Sequence, residues 1–493
     1  MSEKHESNPI LTLPSPDEPE PVSYTLRIGA VGHRHLKNPA SVEAAIGKIL
    51  KQISTSLANG MSDPYQPKTT RHTTWQNAES QLTWKVKKSL AKLKILPGKT
   101  PSNRQTNLHF HIISSLAKGA DRIISRAAME HLQASLQVIL PFNLSEYRKD
   151  FDDPDDLNEF NELFEKAENK EKLIHSSFQS IYSHEDGYEQ AGKELVDSCE
   201  LLIAVWDGQP SNGKGGTAEI VEYACSVNRL VVWINAIDPE VPELIVTNIQ
   251  KTEKVIDYEG NQYIKVLTHV IPQIPAGWSP RFMQVAEYNR DRAFRKKGFQ
   301  RIFLEYQEKF ESNGIKANLK PERLQPLLHS ILPHFAKADY LALRYQKIHI
   351  RAAIWLYRLA AISVAIGVLQ TLYAPDQTRW IALEIIALLG AVFLFRLSLI
   401  ENWHEKWLNY RHLAERLRSL IFNSLIENQT SINETTKNLW LPFYPGPGGW
   451  VLDVFDKIKK EIPAFNIADE ENDAITQFIL ISWIKDILAS IKC

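Results

Sequence analysis

Cysteine is scarce in this sequence: Cys199, Cys225 and Cys493 are the only three in 493 residues. So few thiols exclude a disulfide framework, and their spacing matches no metal-binding pattern, so a reducing compartment is expected. An excess of charge of one sign is also lacking. Lys and Arg number 57 against 58 Asp and Glu, a formal charge of −1. Nothing in that balance draws the whole chain toward nucleic acid. The N-terminal stretch lacks the basic start and apolar run of a secretory signal. It is acidic and Pro-rich (SPDEPEPVS), and residues 1–22 read as a disordered tail. The length exceeds one core, and at roughly 100–200 residues per domain two or three domains are expected.

Long apolar runs, by contrast, are present twice. Residues 354–373 (IWLYRLAAISVAIGVLQTLY) and 380–400 (WIALEIIALLGAVFLFRLSLI) are each about 20 residues long, enough to cross a hydrocarbon core of ~30 Å. Buried core helices of a soluble bundle would also be apolar. Here the apolar character runs all round, and aromatic residues sit at the ends: Trp355, Tyr357, Tyr373, Trp380, Trp403 and Trp407. The short PDQTR linker makes the pair a hairpin. Arg344, Lys347 and Arg351 precede it with Arg358 near the start of the first run, and Lys406, Arg411, Arg416 and Arg418 follow it with Arg396 near the end of the second. That asymmetry predicts a multi-pass protein with both termini in the cytoplasm. Gln370, Glu384 and Arg396 are polar residues deeper within the spans and candidates for a pore lining. Glu384 either reaches toward the headgroups or joins a ring of carboxylates at a pore mouth, which would require several copies.

The preceding region alternates short apolar strands with amphipathic helices. Strands are expected at 25–31, 109–114, 136–140, 201–206 and 230–234, with a weaker one at 172–176. Helices are expected near 41–57, 119–133, 154–169, 188–198 and 217–227. This pattern implies a parallel sheet covered on both faces, with ligands bound beyond the C-terminal strand ends. Glycines and polar residues cluster there. They are Gly32, His33 and Arg34; then Ser114, Ser115, Lys118, Gly119, Asp121 and Arg122; then Pro141, Phe142 and Tyr147; then the DGQPSNGKGGTAE loop. That loop contributes Asp207, Gly208, Gly213, Lys214, Gly215, Gly216, Thr217 and Glu219. Its glycines let backbone N–H groups approach a phosphate at a helix N-terminus; Lys214 would add charge, and Thr217 would cap the helix. The spacing is neither that of a P-loop nor GxGxxG. His33 and Arg34 suit phosphate but also helix capping. Asp121 suits a capping role, Asp207 a turn with Gly208, and Glu219 either a helix dipole or a ribose. Residues 60–107, rich in lysine, read as an insertion bearing a solvated helix or a basic surface.

The motifs VGHR (31–34), SSLAKGADR (114–122), LPF (140–142) and GGTAE (215–219) resemble those of the SLOG superfamily over roughly residues 24–235. The resemblance implies a Rossmann-like α/β domain at 23–285 that binds a nucleotide-derived signal, without cofactor or metal. In the hydrolase branch a PGGxGT loop precedes a catalytic glutamate; here NGKGGTAE lacks that opening, and Glu219 would stand in the catalytic position. FAKADYLALRYQ (335–346), YRHLAERLRSL (410–420) and ISWIKDILASI (481–491) are similar to the SLATT family of two-span effectors. They imply an all-α domain at 336–493, joined by a helical linker at 286–335. Together the resemblances imply a sensor–effector of the bacterial inner membrane. It would recognise a nucleotide second messenger from a separately encoded synthase and assemble as a homo-oligomeric pore in antiphage defence. The alternative is a membrane-tethered nucleotide N-glycosidase or phosphoribohydrolase. Tyr410, Arg411, Glu415 and Arg418 fall at helical spacing and suit a structural salt-bridge ladder.

Overall fold

The computed structural model describes residues 19–61, 106–168, 184–210, 215–240, 243–246, 252–256, 262–266, 269–271, 279–291, 296–373, 375–426, 448–462 and 472–484. Residues 1–18 of the expected tail, most of the lysine-rich insertion, the weak strand at 172–176, Gly213, Lys214 and Cys493 lie outside them; residues 19–22, expected as the end of that tail, are described, and Val22 is buried. The chain divides into two compact units, with the break between Arg290 and Asp291. Residues 448–450 belong to the first unit, and the described residues beyond them to the second. The segment expected as a linker therefore contributes to both units.

The first unit is built on strands β1 (Tyr24–Gly32), β2 (Leu108–Ser114), β3 (Ser135–Val138), β4 (Leu201–Trp206) and β5 (Leu230–Asn235). All five run parallel, in the order β3-β2-β1-β4-β5. β1 and β4 are central, and Ile28 to Gly32 pair with Leu201 to Val205. Their near-complete burial explains the apolar runs IGAV and LLIAV. Helices α1 (Pro39–Met61), α2 (Ala120–Leu132), α3 (Pro154–Glu165), α4 (His184–Ser198) and α5 (Thr217–Ser226) connect the strands. In α1, Val42, Ile46, Ile49, Leu50, Ile53 and Leu57 recur at helical spacing and are buried. Leu195, Val196, Ile220, Val221 and Ala224 from α4 and α5 pack with Val31, Leu202, Ala204 and Val231 of the sheet.

Four further strands lie outside the expected pattern. β6 (Glu243–Val246) and β9 (His269–Ile271) extend the sheet antiparallel beyond β5, and β7 (Thr252–Ile256) pairs with β8 (Gln262–Val266) as a separate hairpin. Helix α6 (Pro280–Arg290) returns to the start of the sheet. There the Asn289 side-chain amide donates to the Val22 carbonyl at 2.7 Å and accepts from the Val22 N–H at 2.9 Å.

The second unit is helical: α7 (Lys296–Lys316), α8 (Pro321–Tyr373), α9 (Arg379–Glu401), α10 (Trp403–Ile426), α11 (Gly449–Lys460) and α12 (Asn472–Ile479). The first two residues of α11 fall within the first unit. The stems of α8 and α10 share a buried face that includes Leu341, Ala342, Tyr345, Tyr410, Leu413 and Leu417. Within that core, the Tyr345 and Tyr410 hydroxyls both donate to one oxygen of buried Asp291, each at 2.8 Å. The salt-bridge ladder is present: Glu415 pairs with Arg411 and Arg418, and Arg411 also reaches Asp339 at 3.0 Å.

α8 and α9 contain the two apolar runs. Both are long and apolar enough to cross a membrane, and in each the most apolar stretch is only 11% buried. A core helix of a soluble protein would bury most of that stretch. Ser363 and Ala387 are buried, whereas Val364, Leu372, Ile386 and Leu389 are more than 60% exposed.

Candidate functional site

Chain order reverses between β1 and β4, because β1 leads outward to β2 and β3 while β4 leads the other way to β5. A crevice beside such a reversal, between the loops leaving the two strands, is the usual ligand position in parallel sheets. Gly32 ends β1. A side chain there would overlap Ala120 and Val205, with an added Cβ only 2.4 Å from the Ala120 Cβ. Glycine is required because the start of α2 passes directly over the strand end. Gly119 has φ +88°, and an added Cβ would lie 2.4 Å from the Arg34 carbonyl. The loops after β1 and β2 are thus stitched backbone to backbone, with the Ala120 N–H donating to the His33 carbonyl at 3.1 Å and the His33 N–H to Val205 at 3.0 Å.

Asp121 sits behind this junction. It is buried, and its carboxylate accepts the backbone N–H groups of Gly32 and Ala117. Burial lifts its pKa to about 7 against those hydrogen bonds and the nearby Arg34 and Arg122 charges. Arg122 is also buried. It donates to the Leu116 carbonyl, to Asp156 and to Glu159, and lies over the Phe151 ring. Lys118 pairs with Asp156 at 2.5 Å. Arg122 and Lys118 therefore tie α2 to α3. Ser114 accepts the Leu116 N–H through its hydroxyl, and the Ser115 carbonyl accepts the buried Tyr147 hydroxyl at 3.0 Å. Pro141 is buried, and Phe142 packs against His184 and Tyr188 over Gly187.

His33, Arg34 and Asp207 face the crevice more openly. The His33 Nε2 lies 3.1 Å from the Asp207 backbone N–H and 3.0 Å from its carboxylate. Burial pulls the Asp207 carboxyl up, but the Gln209 N–H and His33 outweigh it and hold the group below its usual range. Gly208 takes φ +83° in the turn, as the pairing of Asp207 with glycine suggested. The Arg34 guanidinium lies 5.4 Å from the Tyr188 ring centre and is hydrogen-bonded to that side chain. Tyr188 donates in turn to Asp150. Burial opposes the Arg34 charge, but Tyr188 and Asp150 outweigh it and hold its pKa above the ordinary value.

The glycine-rich loop meets the same cluster. Gly215 has φ +76°, and an added Cβ would lie 2.6 Å from the Tyr188 Cβ. Its N–H donates to the Glu219 carboxylate at 2.7 Å, so Glu219 closes its own loop. Gly216 occupies the N-cap of α5 with no side-chain cap, and Thr217 is the first helical residue, which corrects its expected capping role. Gly32, His33, Arg34, Gly119, Asp207, Gly215, Gly216 and Thr217 therefore gather at the crevice, while Lys118, Arg122, Ser114 and Tyr147 serve the packing around it. Tyr188 and Asp150 were not foreseen. Tyr188 stands on a helix with no loop motif, and the only sign of it is the adjacent Gly187.

In the hairpin, the Glu384 carboxylate faces Gly367, where an added Cβ would lie 3.7 Å from both oxygens. Gln370 is half-buried, and Arg396 is exposed, away from that seam. No family model, curated protein or solved structure matches the chain.

Proposed function

We propose that the first unit is a Rossmann-like, SLOG-like sensor of a nucleotide-derived ligand, and that the helical unit is a SLATT-like two-span effector. The observation that supports this most is the convergence of Arg34, Tyr188 and the Gly215–Thr217 turn beside the strand-order reversal. Arg34 supplies a fixed positive charge, and the uncapped N-terminus of α5 supplies backbone donors, the combination suited to a phosphate. The phosphate-bearing ligand stands for the signal made by a separately encoded synthase.

The effector half of the reading rests on the exposed apolar faces of α8 and α9. The hairpins lie across a bacterial inner membrane with both termini cytoplasmic, and ligand binding promotes assembly into a pore during antiphage defence. Moving such a switch from 1:99 to 99:1 requires roughly 5.5 kcal/mol of differential binding. A phosphate-rich ligand held by several loops meets that scale. Glu219 is engaged by Gly215, so binding is favoured over hydrolysis.

Calorimetry of the full chain with purine mononucleotides, dinucleotides and cyclic dinucleotides tests the sensor. At least one should bind, and Arg34→Gln should weaken it by roughly 10- to 100-fold, the loss of a charged hydrogen bond. Binding unaffected by Arg34→Gln would move the site elsewhere, and release of free base would favour the hydrolase.

A further inference from the structure

The first spanning helix continues without a break into the helical unit, since α8 runs from Pro321 to Tyr373. Arg344, Lys347, Arg351, Trp355 and Arg358 recur on it at intervals of three or four residues. That spacing places them in one strip along the helix. Lys347, Arg351, Trp355 and Arg358 are exposed, and Arg344 is half-buried. The Arg358 guanidinium lies 5.3 Å from the Trp355 ring centre. The ion pairs of the stem include those of Arg411 with Asp339 and Glu415 and of Arg418 with Glu415; among the described residues, Lys347, Arg351 and Arg358 form none. Three cations thus stand on one exposed face, unneutralised by the protein and continuous with the apolar surface of residues 354–373.

Their reach matches one leaflet surface. From Lys347 to Arg358 the helix rises roughly 16 Å at 1.5 Å per residue. A headgroup layer of roughly 5–8 Å plus a Debye length of about 8 Å covers the same depth. Arg358 lies one turn inside the span, where its long side chain can extend to the headgroups beside Trp355. Arg351 lies at the boundary, and Lys347 in the adjoining water.

We propose that Lys347, Arg351 and Arg358, arranged around Trp355, form a docking stripe for the headgroups of anionic phospholipid. This rests on the membrane-spanning reading of α8. The stripe binds net negative charge, so it prefers phosphatidylglycerol to phosphatidylcholine, whose amine cancels its phosphate. Each cation near an anionic surface contributes on the order of fivefold in affinity.

Native mass spectrometry of the full chain in neutral detergent tests this, using the two lipids with identical acyl chains. Phosphatidylglycerol should be retained at least about fivefold better. Lys347→Gln/Arg351→Gln/Arg358→Gln should abolish the preference, while Lys51→Gln/Lys149→Gln/Lys166→Gln in the first unit should leave it intact. The single variants Lys347→Gln and Arg351→Gln, both outside the span, should each lose part of it even if the triple variant folds poorly. Equal retention of both lipids by the wild type, or full competition by soluble glycerol phosphate, would overturn the stripe. Alkaline carbonate extraction separates the two failures. A chain released from membranes by carbonate overturns the spanning reading and the stripe together, whereas a chain that stays and shows no preference overturns the stripe alone.

Discussion

At the scale of single residues, Asp121 shows how burial reassigns a motif position. In the sequence it belongs to a polar run, SSLAKGADR, grouped with the ligand loops, where an aspartate near a helix start suits a capping role. In the fold it receives the Gly32 and Ala117 N–H groups and is lifted to about 7 by burial. A carboxyl raised above its ordinary value binds more protons folded than unfolded. Its contribution to stability is therefore full below pH ~4 and is lost as pH rises to about 7. The first unit should thus become less stable between pH 5 and 7.5, as read by tryptophan fluorescence in urea, and Asp121→Asn should flatten that slope. An unchanged slope would mean that Asp121 stays ionised throughout. Arg122 and Lys118 carry the same lesson. Their partners Asp156 and Glu159 lie more than 30 positions along the chain. No local pattern links them, so cations grouped with the ligand loops by sequence are committed to packing. Arg34 keeps its place at the crevice, but only through Tyr188, a residue that no motif marks.

At the scale of elements, legibility followed burial. β1 and β4 are buried on both faces, so their sequences are dominated by apolar residues, Arg27 being the one charge, and they stand within one residue of the expected bounds. The strands from Glu243 to Ile271 were missed because they are three to five residues long and interrupted by Glu243, Glu253, Lys254 and Lys265. Such runs give no period on which to separate strand from loop. The helix stems were legible from their resemblance to SLATT segments and from the helical spacing of Tyr410, Arg411, Glu415 and Arg418, but the residue that joins them was not. Asp291 precedes them in the chain and collects two tyrosine hydroxyls across α8 and α10. Each bond is to a buried carboxylate, worth about 1.5–3 kcal/mol. Tyr345→Phe and Tyr410→Phe should each lower the thermal transition of the detergent-solubilised protein. The double variant should lose more than the sum, because only it deprives that Asp291 oxygen of both hydroxyls. Additive losses would show that the two bonds act independently.

At the scale of the whole molecule, the two apolar helices expose a surface that water does not tolerate and that a bilayer would cover. One hairpin has few polar groups with which to conduct. Gln370 and Glu384 lie toward the seam between its helices, Glu384 against Gly367, and Arg396 lies outside it. A carboxylate within a span costs up to about 2.5–3.5 kcal/mol at the bilayer centre, and less near an interface. In the pore reading that cost is relieved when several copies bring their Glu384 residues to a common water-filled mouth. Two results follow for purified protein in liposomes carrying a bound nucleotide. Dye release should climb more steeply than linearly with the protein-to-lipid ratio, because assembly precedes conduction. Glu384→Gln should insert to the same extent yet release a cationic dye several-fold more slowly than an anionic one, relative to wild type, since a ring of carboxylates favours cations. Gly367→Leu offers an independent probe, because its side chain would take the space beside the Glu384 carboxylate and displace it from the seam. Release linear in protein would refute assembly. Equal rates for both dyes in wild type and Glu384→Gln would leave the pore intact but remove Glu384 from its mouth.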